Sequence, residues 1–147
     1  MNREEEKHML KDQTGIRFYN EGYLKENPLN KSTVLEYFML SPFYDPKSIN
    51  QQCKDNEEEF TLKTRETKRG VEYVENTITN NKDIFIIAKY NRIYKEQTLL
   101  GYYYVFRGQI FQASNLFNLI SSNLQSTANS LLNIVNILNE DNKQTIM

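Results

Sequence analysis

The sequence predicts an α+β fold: an antiparallel meander sheet of four to five strands, a short N-terminal helix pair before it, and a long C-terminal amphipathic helix packed on it. Three observations carry this expectation. Short runs of β-branched and aromatic residues crowd into residues 71–112, parted by turn signals. A capping-box pattern and an Asp-Pro start signal precede them, within residues 33–46. Beyond Ser114, apolar residues recur at spacings of three and four as far as Leu138.

The elements follow in chain order. Residues 1–14 are polar, interrupted only by Met9 and Leu10, and read as a flexible tail. Ile16–Tyr19 reads as a short strand and Asn20–Glu21–Gly22 as a turn, with Tyr23–Leu24 leading to the breaker Asn27–Pro28. Thr33-Val-Leu-Glu36 has the form of a capping box, in which the threonine hydroxyl and the glutamate each accept from the other's amide. Leu35, Phe38 and Met39 then share a helical face. Pro42 stops this helix, because proline disfavours the α conformation in the residue before it. Asp45–Pro46 starts a second helix over Pro46–Gln52, with an acid at the cap and proline in the first turn. Residues 53–69 hold five acids and five bases and read as a mobile polar connector.

The sheet comes next. Val71–Ile78 is a strand, Asn80–Asn81 a turn, and Ile84–Ala88 a continuous apolar run of the kind covered on both faces. Tyr102–Phe106 is a run of the same kind. Arg107–Gly108 is a two-residue connection returning Gln109–Gln112 beside it. Ser114 caps the last element, whose stripe is Leu116, Ile120, Leu124, Ala128, Leu131, Leu132, Val135 and Leu138. It is one helix, or two with a break near Ser121–Asn123 or Gln125–Ser126. Ile134 and Ile137 widen the stripe, and an over-wide stripe is a surface for a partner helix. Residues 15–139 thus form one domain and 140–147 a C-terminal tail.

Composition narrows the function. With 18 Lys and Arg against 19 Asp and Glu, the net charge of −1 argues against a nucleic-acid binder held by bulk electrostatics. No apolar run reaches the roughly 20 residues of a membrane span, and Met1–Lys7 lacks the apolar region of a secretory signal. One cysteine, Cys53, supports neither an internal disulfide nor a multi-cysteine metal site. These features point to a reduced, intracellular, soluble protein. Recurrent Asn, together with 10 Tyr, fits the codon bias of an AT-rich genome.

Candidate chemistry is sparse. The single histidine, His8, lies in the N-terminal tail, so a Ser-His-Asp or Cys-His site lacks its base. Cys53 reads as an incidental thiol and Glu57–Glu59 as solvated charge. No P-loop, G-x-G-x-x-G or H-E-x-x-H is present. Tyr102–Tyr104 could stack on bases, but no Lys or Arg interleaves with these rings, which favours a packed sheet.

Three stretches together resemble one family. They are Val34-Leu-Glu-Tyr-Phe-Met-Leu-Ser-Pro-Phe-Tyr-Asp45, then Gly70-Val-Glu-Tyr-Val74 followed by Ile84–Ile87, then Tyr102-Tyr-Tyr-Val-Phe-Arg-Gly-Gln-Ile-Phe-Gln-Ala-Ser114 running into Leu116–Leu124. In this order and spacing, over about residues 15–125, the chain resembles subunit 6 of the Mediator complex, the transcriptional coactivator that bridges regulators and RNA polymerase II. Departures are Tyr23–Leu24 where the family usually has Trp, Leu99–Leu100–Gly101 where it usually has Pro, and an end at Met147 where members often continue. The last implies a compact version from a reduced genome, without contacts made through a tail.

The resemblance implies a nuclear, non-enzymatic subunit without cofactors. It would sit in the Mediator head module, packed on scaffold subunit 17 and near subunits 8 and 11. There it would help the head engage RNA polymerase II and the preinitiation machinery, with no direct nucleic-acid or membrane contact. The candidate interface residues are Pro42, Phe43, Tyr44, Ile134 and Ile137. For Phe43 and Tyr44 two roles stand open, plugging the core or meeting a neighbouring subunit. The competing class is a small α+β ligand-binding or enzyme domain with a pocket between sheet and long helix.

Overall fold

The computed structural model describes residues 13 and 15–113. The expected C-terminal helix, with Ile134 and Ile137, lies outside the described residues, as does most of the N-terminal tail.

The described chain runs β1 (Arg17–Phe18), α1 (Glu21–Glu26), α2 (Val34–Phe38), α3 (Ile49–Asp55), α4 (Leu62–Arg65), β2 (Arg69–Glu75), β3 (Ile84–Ile93), β4 (Glu96–Phe106) and β5 (Gln109–Gln112). The strands form one five-stranded sheet in the order β1-β5-β4-β3-β2, every neighbouring pair antiparallel. The meander β2-β3-β4-β5 is therefore as the apolar runs predict, and β1 adds the fifth strand against β5. Arg107 (φ 49°) and Gly108 (φ 81°) both take the left-handed conformation, the geometry of a type I′ hairpin turn.

Two strands are longer than expected. β3 continues past Ala88 to Ile93, and β4 begins at Glu96 rather than Tyr102. This half of the hairpin is polar and exposed along much of its length, so no apolar run marks it. A register shift at Lys89/Tyr90 leaves Leu100 without a partner, since Lys89 faces Gly101 and Tyr90 faces Leu99. Leu99–Leu100–Gly101 is thus a β-bulge.

The N-terminal helices correct several expectations. Asn20–Glu21–Gly22 is not a turn: Asn20 caps α1, its side-chain oxygen accepting from the Tyr23 amide at 3.0 Å. Thr33-Val-Leu-Glu36 does not close as a capping box, because the Thr33 side chain makes no cap bond. Asn30 does that work instead, its Oδ1 accepting from the amides of Ser32 at 2.8 Å and Thr33 at 3.1 Å. The buried face of α2 is Val34, Tyr37 and Phe38 rather than Leu35, Phe38 and Met39. The second helix starts at Ile49, capped by Ser48. Residues 53–69 are more than a polar connector. The end of α3 and all of α4 lie within them, and Cys53 is buried.

The main core lies between this helical layer and one face of the sheet. Val34, Tyr37, Phe38 and Phe43 pack on Tyr73, Ile87, Tyr103, Val105 and Ile110. Aromatic rings dominate, with Phe38 centred 4.9 Å from both Tyr73 and Tyr103. Buried hydroxyls need partners, and these find backbone. The Tyr37 hydroxyl donates to the Gly108 carbonyl at 2.7 Å and accepts from the Asn20 amide at 2.9 Å. One side chain thereby ties the cap of α1 to the β4–β5 turn.

Candidate subunit interface

The Ser41–Asp45 loop is shaped by what Tyr73 does beneath it. From the floor of the core, the Tyr73 hydroxyl donates to the Phe43 carbonyl and accepts from the Asp45 amide, both at 3.1 Å. Phe43 is 4% exposed, its ring 5.2 Å from Tyr103. It is a core residue, and its ring is not available to a partner. Tyr44 is half-buried, tilted on Tyr73 at 5.6 Å, with its hydroxyl donating to Gln51 Oε1 at 3.1 Å. Pro42 is exposed, and Leu40 beside it is 49% exposed. Of the loop residues singled out from sequence, Pro42 and one side of Tyr44 therefore reach the surface.

Burial pushes the titration of these rings upward. Desolvation raises the Tyr103 hydroxyl to about 12 and the Tyr73 hydroxyl further still, with the neighbouring phenol adding a smaller rise for Tyr73. Both stay neutral over the physiological range.

The opposite face of the sheet carries a second apolar cluster. Side chains alternate along a strand, so Ile84 and Ile86 point away from Phe85 and Ile87. With Phe106, Phe111 and Ala113, flanked by Tyr102 and Tyr104, they form a buried group. Every described member belongs to β3, β4, β5 or the residue after it. Tyr103 faces the main core while Tyr102 and Tyr104 face this cluster, so the tyrosine run is packed sheet on both sides.

A polar group missed from sequence lies beside this cluster. Glu72, fully buried on β2, accepts from Arg92 Nε at 2.9 Å and Gln97 Nε2 at 3.1 Å, and Arg65 Nη1 stands at 3.5 Å. Arg92 also donates to the Tyr94 carbonyl at 2.9 Å. The signal was an acid between two buried strand residues, Val71 and Tyr73, but its partners come from β3, β4 and α4. Only the register brings them together. Among the described residues no group of three or more His, Cys, Asp or Glu side chains is placed to hold a metal ion.

Comparison with known proteins decides the family. The model of the family described as MED6 mediator sub complex component matches residues 16–144. The chain belongs to the Mediator subunit 6 family. Curated members include subunit 6 of Mediator of RNA polymerase II transcription from Candida albicans, 29% identical over 139 residues (85% of this chain, 52% of the relative). The Scheffersomyces stipitis subunit 6 is 31% identical over 142 residues, with the same coverage of 85% and 52%. That of Encephalitozoon cuniculi is 31% identical over 116 residues, covering 76% of this chain and 64% of the relative. The chain spans about half the length of the first two. The fold matches the solved structure of the Schizosaccharomyces pombe Mediator subunit Med6 with a TM-score of 0.66 at 23% identity, covering 91% of this chain and 96% of that one. A chain in the structure of the Schizosaccharomyces pombe Mediator head module matches with a TM-score of 0.61 at 24% identity, covering 91% and 89%. In this fold, Tyr23 stacks on Tyr37 at 5.5 Å.

Proposed function

We propose that the chain is a nuclear, non-enzymatic subunit of the Mediator head module that passes regulatory signals to RNA polymerase II and the preinitiation complex through protein–protein contacts. The observation that carries this reading is the family match over residues 16–144. The similar fold of a chain in the Schizosaccharomyces pombe head module supports the choice of module. Scaffold subunit 17 is the proposed main partner, with subunits 8 and 11 nearby. The long C-terminal helix packs its stripe on the second face of the sheet, and its margin at Ile134 and Ile137 meets a helix of the scaffold. Pro42 and the outer side of Tyr44 form a smaller contact. The role calls for no cofactor, membrane contact or direct contact with nucleic acid.

The family match over residues 16–144 favours this reading over the competing pocket domain. Affinity purification of the tagged chain from its own cells, read by mass spectrometry, tests the proposal. Recovery of Mediator head subunits is expected; a purified chain without any of them refutes it.

A further inference from the structure

Two clefts, of about 370 and 200 Å³, run into one another at the end of the sheet where β3 begins and β4 turns into β5. Leu29, Lys82 and Phe85 line both. The floor is apolar, made by Leu24, Leu29 and Phe85, and the first two are only half-buried. The β4–β5 turn approaches α1 so closely that a Cβ on Gly108 would lie 2.5 Å from Leu24 Cδ1. The rim opposite is set by short side-chain bonds, with Asn81 Oδ1 accepting from the Asp83 amide at 2.9 Å and Thr77 Oγ1 from the Ile86 amide at 3.0 Å.

Charge around this groove is one-sided. Lys31 and Lys82 both line it, both are exposed, and neither forms an ion pair among the described residues. Among the described residues the only acid lining either cleft is Asp83, which is paired with Arg107 at 3.7 Å. Two cations without an ion-pair partner among the described residues thus flank an apolar floor with a polar rim, on a chain whose net charge is −1. Two cations are too few for a nucleic-acid backbone, and an apolar floor offers nothing to phosphates. A segment presenting apolar side chains with carboxylates beside them satisfies both halves of the site.

We infer that this groove docks an acidic amphipathic segment of a partner protein. Apolar side chains of the segment enter between Leu24, Leu29 and Phe85, and its carboxylates meet Lys31 and Lys82. The inference rests on the proposed role only in taking the occupant to be protein. The probe is a fluorescent synthetic peptide with Leu and Phe at helical spacing and Glu and Asp between them, titrated by anisotropy against the full 147-residue chain. A second peptide carries Lys in place of every acid. The native chain should prefer the acidic peptide, and the preference should shrink as salt rises. K31E/K82E, which alters two exposed side chains, should weaken the acidic peptide at least tenfold and bind the Lys peptide instead. Equal binding of both peptides, no binding of either, or an unchanged affinity in K31E/K82E overturns the inference. None of these results bears on whether the native chain co-purifies with head subunits, so the two readings fail separately.

Discussion

At the scale of single residues, the tyrosines set how the core is built. A Phe-and-Tyr core has hydroxyls to satisfy, and Tyr37 and Tyr73 spend theirs on backbone of elements distant in sequence. Phe43 packs on both Phe38 and Tyr103, so F43A should cost about 3–5 kcal/mol, as truncation of a buried Phe does. Thermal unfolding of the isolated chain checks this; an unchanged melting temperature would move Phe43 back to the surface. The buried phenols also govern the alkaline limit. An unfolded tyrosine loses its proton near the ordinary value of 10.0, whereas folded Tyr103 holds it to about 12 and Tyr73 to a higher pH. Above pH 10 the unfolded state therefore binds fewer protons than the folded one, and stability falls as pH rises. It is fully retained below pH 10, and the loss continues through about pH 12. Denaturant melts across this window should show the decline, and replacing Tyr103 with Phe should make it shallower. Individual roles such as these were only half legible. Phe43 could be placed either in the core or at an interface, and the sequence alone does not reveal that the Tyr73 hydroxyl holds its backbone from below.

Among the elements, legibility followed apolarity. The β-branched run at Ile84–Ala88 and the aromatic run at Tyr102–Phe106 announced their strands, and Arg107–Gly108 announced its turn. The outer halves of β3 and β4 did not, because Lys89–Ile93 and Glu96–Leu100 alternate too weakly to show a period of two. Asn20 illustrates a different ambiguity: the same side chain favours turns and helix caps, and only the following residues in space decide between them. Cys53 was assigned by its polar neighbours in sequence, yet α3 turns it inward. This helix has a further task. Asn50 lies at the outer edge of β2, its Nδ2 donating to the Tyr73 carbonyl and its Oδ1 accepting from the Tyr73 amide, both at 2.8 Å. A side-chain amide thus completes the ladder where the sheet ends, one way of protecting an edge strand. N50A would leave two buried backbone groups unpaired, at about 1–3 kcal/mol each. Amide hydrogen exchange should report faster exchange at Tyr73 with the β3–β4 hairpin unchanged. Equal protection in both proteins would rule out the edge-capping role.

For the molecule as a whole, the sheet is covered by the helical layer on one side and carries a buried apolar cluster on the other. The family and its sheet could be read from three sequence stretches; the clefts and the Glu72 group could not, because each joins residues more than fifteen positions apart. The assembly claim is tested at this scale by two kinds of change. I134N/I137N should leave the chain folded, since Asn already occupies neighbouring positions of the segment, and should weaken its hold on scaffold subunit 17; unfolding would assign both residues to the internal core. The most direct measurement is reconstitution. Co-expressed with subunits 17, 8 and 11 from the same organism, the native chain should elute with them as one stoichiometric species on size exclusion. A chain that elutes alone, while the other three assemble without it, would contradict its place in the head.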